Sequence, residues 1–98
     1  MAMRYVHVML RGRVQGVGYR NWCFHAAGAR GLKGFVRNRR DGAVEAVFAG
    51  PAAAVDAMLA DCRSGPPGAR VDDMLVHEAS EAALAAGGRD QFAVLPTL

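Results

Sequence analysis

The hydrophobic period of this chain changes from that of a strand to that of a helix across one short loop. From Tyr5 to Val14 apolar and polar side chains alternate, which predicts a strand buried on one face. After the loop Gln15–Gly18, apolar residues recur at helical spacing until Gly31. A strand joined to a helix by so short a loop predicts a sheet with helices packed on it.

A hairpin and a second helix follow. The segments 34–39 and 43–49 are rich in Val and Phe, and the Asp41-Gly42 pair between them is a strong signal for a tight hairpin turn. Pro51 is predicted to open the second helix, because its missing N–H costs nothing in a first helical turn. Apolar residues at helical spacing then continue to Cys62.

The last third of the chain has weaker patterns. Arg70–Glu78 is predicted as a fourth strand and Gln91–Leu95 as a short final one, while the Ala- and Gly-rich Ser80–Arg89 fits a short helix or an irregular connection. The order β-α-β-β-α-β is that of the α+β ferredoxin-like split, an antiparallel sheet with two helices on one face. We expect one domain over residues 1–98, and this fold alone does not specify a function.

The loop after the first strand is suited to an anion. Gly16 and Gly18 allow successive N–H groups to converge, and the start of the helix adds its positive dipole end. Two glycines can also simply make a tight turn. Arg20, however, lies in the first helical turn, where the dipole disfavours a cation unless the guanidinium folds back onto a bound phosphate.

Other known phosphate loops do not match. No Lys-Ser/Thr pair follows the glycines as a P-loop requires, and the third glycine of the dinucleotide-binding fingerprint is missing. Val14 stands six residues before Arg20, where cysteine phosphatases place their nucleophile. Cys23 is predicted to be packed in the core, so any hydrolysis here must use water directly.

Charge and cysteine content narrow the class of protein further. The formal net charge of +3 favours an anionic ligand without identifying it. Two cysteines without metal-ligand spacing, and no apolar stretch of about 20 residues, predict a cytoplasmic protein with free thiols, no metal and no membrane contact. His7, His25 and His77 belong to no motif.

Two long segments of the chain resemble the acylphosphatase family. They are Gly12-Arg13-Val14-Gln15-Gly16-Val17-Gly18-Tyr19-Arg20 and Gly34-Phe35-Val36-Arg37-Asn38, followed by Gly42-Ala43-Val44-Glu45 and Gly50-Pro51. The resemblance spans about Val6 to Val94 and is strongest up to Pro51. Gly28, which weakens the first helix, and Arg30, in a place usually apolar, depart from the family pattern outside these motifs.

The resemblance implies a ferredoxin-like fold and hydrolysis of acyl phosphates to a carboxylate and inorganic phosphate, without a cofactor. It also implies that Arg20 and Asn38 are catalytic, with the phosphate held by the backbone N–H groups of Gln15, Gly16, Val17, Gly18, Tyr19 and Arg20. Asn38 would orient the attacking water, and the proton would pass to the substrate. Asn38 has the same side-chain parity as Val36, so a strand beside the first could bring it to the loop.

Two other classes of function remain as alternatives. The chain could be a non-catalytic phosphate-binding or anion-binding module, since domains of this kind also occur inside larger proteins. RNA binding is disfavoured, because the central strands lack the exposed aromatic pattern of RNA-recognition domains. We therefore expect a monomer that acts on a small acyl phosphate, with inorganic phosphate or sulfate as competing anions and no nucleic-acid partner.

Overall fold

The computed structural model describes residues 3–98, which form one five-stranded sheet and two α-helices. The elements in chain order are β1 (Met3–Arg13), α1 (Tyr19–Ala29), β2 (Lys33–Asn38), β3 (Val44–Pro51), α2 (Ala52–Cys62), β4 (Arg70–Glu78), a 3-10 helix (Glu81–Ala86) and β5 (Ala93–Val94). The predicted β-α-β-β-α-β order is confirmed. Among residues 3–98, no helix is both long and apolar enough to cross a membrane.

The sheet has the strand order β4-β1-β3-β2-β5. Strands β4, β1, β3 and β2 are joined by antiparallel pairings, but β5 lies parallel to β2. The predicted antiparallel sheet is thus confirmed, and β5 extends it at this edge by one parallel pairing. Strand β4 runs in the same direction as β3 and opposite to β2, and the chain reverses in the connection through Glu81–Ala86, so β5 runs in the same direction as β2.

Both α-helices pack on the same face of the sheet and enclose the main core. The alternation predicted in β1 is confirmed, because Val6, Val8 and Leu10 are completely buried against the helices. The other face carries a smaller apolar cluster under the 3-10 helix, formed by Phe35, Val47, Ala49 and Leu84. The Ser80–Arg89 segment thus covers part of the sheet face that the α-helices leave open.

Two details at the helix ends differ from the sequence pattern. Pro51 ends β3 with extended ψ of 143° and precedes α2 instead of lying in its first turn, although its φ of −58° suits the entry into a helix. Helix α1 runs through Gly28 without interruption. Arg30, which follows α1, forms an ion pair with Asp61 on α2 and so links the two helices.

Candidate active site

The loop between β1 and α1 has the backbone shape of an anion cradle. Gly16 and Gly18 both adopt left-handed conformations, with φ of 75° and 79°. Gly18 is also the residue that precedes α1, and no side chain caps the helix start. Amides at an uncapped helix N-terminus carry partial positive charge and lack partners within the helix. The loop can therefore offer several N–H donors to one anion.

Arg20 lies at the second position of α1 and lines an open cleft of about 380 Å³ beside the loop. Its side chain is half-buried, and it makes no hydrogen bond or ion pair with any other residue of the range 3–98. By contrast, Arg4, Arg11, Arg30, Arg37, Arg39, Arg70 and Arg89 all contact carboxylates. Arg20 is thus a cation at the cleft that no carboxylate of the described chain neutralises.

Asn38 reaches the same cleft from β2. It is the last residue of that strand, which lies two places from β1 in the sheet, and it lines the cleft together with Arg20. Its Oδ1 atom is buried and has no hydrogen-bond partner within residues 3–98. A buried polar oxygen without a partner costs free energy, about 1–3 kcal/mol, and such atoms call for a functional explanation.

The loop residues named by the sequence have separate positions around the cleft. Gln15, Gly16, Gly18 and Tyr19 line it, while Val17 packs at the edge of the main core. The Tyr19 side chain is buried in the opposite direction, where its hydroxyl donates a 2.6 Å hydrogen bond to the Cys62 carbonyl oxygen. The Tyr19 side chain is therefore a packing group, and only its backbone is left for an anion.

Sequence reasoning did not assign three other residues to the cleft wall, namely Val14 just before the loop, Asn21 on α1 and Val94 on β5. Val94 arrives there because β5 pairs with β2 at Val36. It is 45% exposed, so the cleft has an apolar side chain at its rim. No local pattern marks this residue, because its place depends on a two-residue strand at the far end of the chain.

Cys23 is completely buried, as the helical spacing predicted. A hydrogen bond with the Cys62 thiol and burial raise the pKa of Cys23 well above its ordinary value. A thiol of this kind is protonated and shielded, and a nucleophilic cysteine needs the opposite. Within residues 3–98, no three His, Cys, Asp or Glu side chains are grouped so that they could hold a metal ion.

A buried carboxylate stabilises β2 from the opposite face of the sheet. Glu45 is only 7% exposed and accepts hydrogen bonds from Arg37 Nε at 2.6 Å and Arg39 Nη1 at 3.1 Å. His7 Nε2 lies 2.7 Å from its other oxygen. Burial alone would raise the pKa of Glu45, but the hydrogen bonds from Arg37 and His7 outweigh burial and lower it. The residues on both sides of Asn38 are thereby tied to β3.

Comparisons of the sequence with known proteins all match the same family. The family model described as Acylphosphatase matches residues 6–92. A protein named acylphosphatase from Rhodopseudomonas palustris (strain BisB5) is 54% identical over 94 residues, which cover 93% of both chains. Another of that name, from Bradyrhizobium diazoefficiens, is 52% identical over 100 residues and is matched over 100% of both chains.

Similarity to a solved structure agrees with the sequence comparisons. The crystal structure of acylphosphatase from Bacillus subtilis superposes on this chain with a TM-score of 0.83 and 33% sequence identity. The match covers 96% of this chain and 99% of the other.

Proposed function

The chain belongs to the acylphosphatase family, and we propose from this how its own residues hydrolyse acyl phosphates to a carboxylate and inorganic phosphate. The observation that carries the proposal is a single cleft, which holds an arginine without a carboxylate partner, a glycine loop at a helix start, and the orphaned oxygen of Asn38.

The phosphoryl group binds at the loop. Backbone N–H groups from Gln15 to Arg20 donate to its oxygens, and the Arg20 guanidinium adds charge-assisted hydrogen bonds from the first turn of α1. These donors are fixed by the left-handed conformations of Gly16 and Gly18, so little reorganisation is needed when charge shifts in the transition state. The acyl portion extends away from the cradle into the open part of the cleft.

Asn38 orients the nucleophile. An attacking water hydrogen-bonds to the carboxamide of Asn38, which lines the cleft, and this directs a water lone pair at phosphorus. The new phosphorus–oxygen bond forms as the bond to the acyl oxygen breaks, and the bonding electrons leave with the carboxylate. The water proton passes to a phosphoryl oxygen. A carboxylate is a good leaving group, so this route needs no general acid.

Turnover of a generic acyl phosphate by the purified protein in excess chelator tests this proposal. We expect release of carboxylate and phosphate far above the spontaneous rate, and we expect Asn38→Ala to remove most of the acceleration. Anion binding without turnover would instead support the non-catalytic module. Turnover that the Asn38→Ala variant retains would contradict the role given to Asn38.

A further inference from the structure

The side chain of Gln15 joins two parts of the cleft that the sheet itself leaves apart. Main-chain pairing between β1 and β3 ends at Leu10 and Val44, and beyond this point β1 pairs only with β4. The loop therefore leaves β3 before it reaches the cleft. Gln15 Nε2 crosses this gap and donates hydrogen bonds to two carbonyl oxygens of the β2–β3 turn, Arg39 O at 2.7 Å and Ala43 O at 2.8 Å.

These two bonds are not needed to close the turn. The Arg39 carbonyl already accepts a hydrogen bond from Gly42 N at 3.1 Å, and the Ala43 carbonyl accepts one from Arg39 N at 2.8 Å. The Gln15 carboxamide adds a second donor to each oxygen. A carbonyl oxygen accepts hydrogen bonds only from a donor, so the nitrogen of the Gln15 carboxamide must face both carbonyls. Both hydrogens of this nitrogen are then used, and the orientation of the amide is fixed.

We infer that Gln15 is a positioning residue, whose carboxamide sets the separation between the phosphate cradle and Asn38. This inference rests on the proposed function. Gln15 begins the cradle, and Arg39, whose carbonyl it holds, follows Asn38 directly. Loss of the carboxamide leaves both the cradle and the turn intact but lets them move apart. Asn38 holds the attacking water and the cradle holds the phosphoryl group. The distance between the water oxygen and phosphorus therefore becomes variable.

The Gln15→Met variant tests the inference, because it keeps the length of the side chain and removes both donors. Misplacement by about 1 Å costs up to ~10²-fold in rate, so we expect kcat to fall about tenfold for this partial loosening. The inhibition constant of inorganic phosphate should stay within about twofold, the scatter of an uncoupled site. If Gln15→Met does not fold, the shorter Gln15→Asn, which keeps the amide but cannot reach both carbonyls, takes its place.

A double-mutant cycle with Asn38→Ala separates this role from a general one. If Gln15 acts through Asn38, Gln15→Met should change kcat by no more than about twofold in the Asn38→Ala background. An equal fall in both backgrounds, or a loss of phosphate affinity, overturns the inference while the proposed function stands. An Asn38→Ala variant with unchanged kcat contradicts the role proposed for Asn38, and only a parent protein without turnover contradicts the proposed function itself.

The Asp41→Ala variant serves as a matched control at the same turn. The Asp41 carboxylate accepts hydrogen bonds from Ala43 N at 3.0 Å and from Arg11 Nη1 on β1 at 3.1 Å, but it has no contact with the cradle. This variant loosens the turn and keeps the Gln15 bonds, so kcat should stay within about twofold of the parent value. An equal fall in kcat for Asp41→Ala and Gln15→Met would show that any change in the turn slows the reaction, and it would overturn the inference.

Discussion

The carboxylate of Glu45 accepts a 2.6 Å hydrogen bond from Arg37 Nε on the face of the sheet opposite to the cleft. Glu45 lies on β3 directly across from Arg37, and Arg37 precedes Asn38 in β2. The ion pair thus stabilises the strand that carries Asn38 from the face opposite to the cleft. This arrangement predicts that part of the stability of the protein depends on the ionisation of a single buried carboxyl.

Glu45→Gln should lower the free energy of unfolding by about 2 kcal/mol at pH 7, the scale of a hydrogen bond to a charged group. The folded-state pKa of Glu45 is lowered, so its stabilising effect is complete above the unfolded-state value of about 4.3 and is lost as pH falls through the folded-state value. Denaturant titrations between pH 7 and pH 3 should show the difference between parent and variant shrinking with acid. A difference that grows on acidification would contradict this account.

Arg20→Ala and Asn38→Ala should have different kinetic signatures. In the proposed mechanism Arg20 contacts the phosphoryl group in both ground and transition states, so its loss should weaken phosphate binding and lower kcat. Asn38 in that mechanism contacts only the water, and its loss should lower kcat at least about 10²-fold with little change in phosphate affinity. Steady-state kinetics with phosphate as inhibitor measure both. Loss of the anion site in Asn38→Ala, with a fully active Arg20→Ala, would reverse the two assignments.

Inorganic phosphate should inhibit competitively and stabilise the fold, because the cradle recognises the tetrahedral anion. At a concentration 100 times its Kd, phosphate should add about 2.7 kcal/mol and raise Tm by at least about 10 °C. Arg20→Ala should lose this shift. The variant Arg63→Ala, which removes an exposed arginine at the end of α2, should keep it. Equal increases in Tm in the two variants would mean that phosphate binds through the net charge of the protein and not at the cradle.

Two glycine substitutions should have opposite effects. A Cβ at Gly28, inside α1, meets no atom within 4 Å, so Gly28→Ala should raise the free energy of unfolding by about 0.5–1 kcal/mol and leave kcat unchanged. Gly18 has equal space, but its φ of 79° is unfavourable for a side chain. Gly18→Ala should destabilise the fold by about 1 kcal/mol and weaken phosphate binding. Thermal melts with and without phosphate test both, and stabilisation by Gly18→Ala would contradict the left-handed cradle.

The sequence predicted the parts of the cleft that depend on local pattern. Gly16, Gly18 and Arg20 lie within one strand-loop-helix segment. Asn38 was expected on a strand beside the first, but β3 lies between β1 and β2, and Asn38 lines the cleft from the end of β2. The contacts of Gln15 and Glu45 were not predictable, because they depend on the register between strands. Val94 was not predictable either, since an Ala- and Gly-rich connection without a clear period determines where β5 joins the sheet.

The short parallel strand β5 and the residues after it also keep β2 from being an open edge. Leu95 N donates to Val36 O and Leu98 N donates to Asn38 O, so the outer side of β2 is occupied up to its last residue. The remaining free edge, β4, carries exposed charges at Arg70, Asp72, Asp73 and Glu78, which discourage strand addition by another molecule. Residues 93–98 therefore leave little of the outer edge of β2, the strand that carries Asn38, open to pairing with a second molecule.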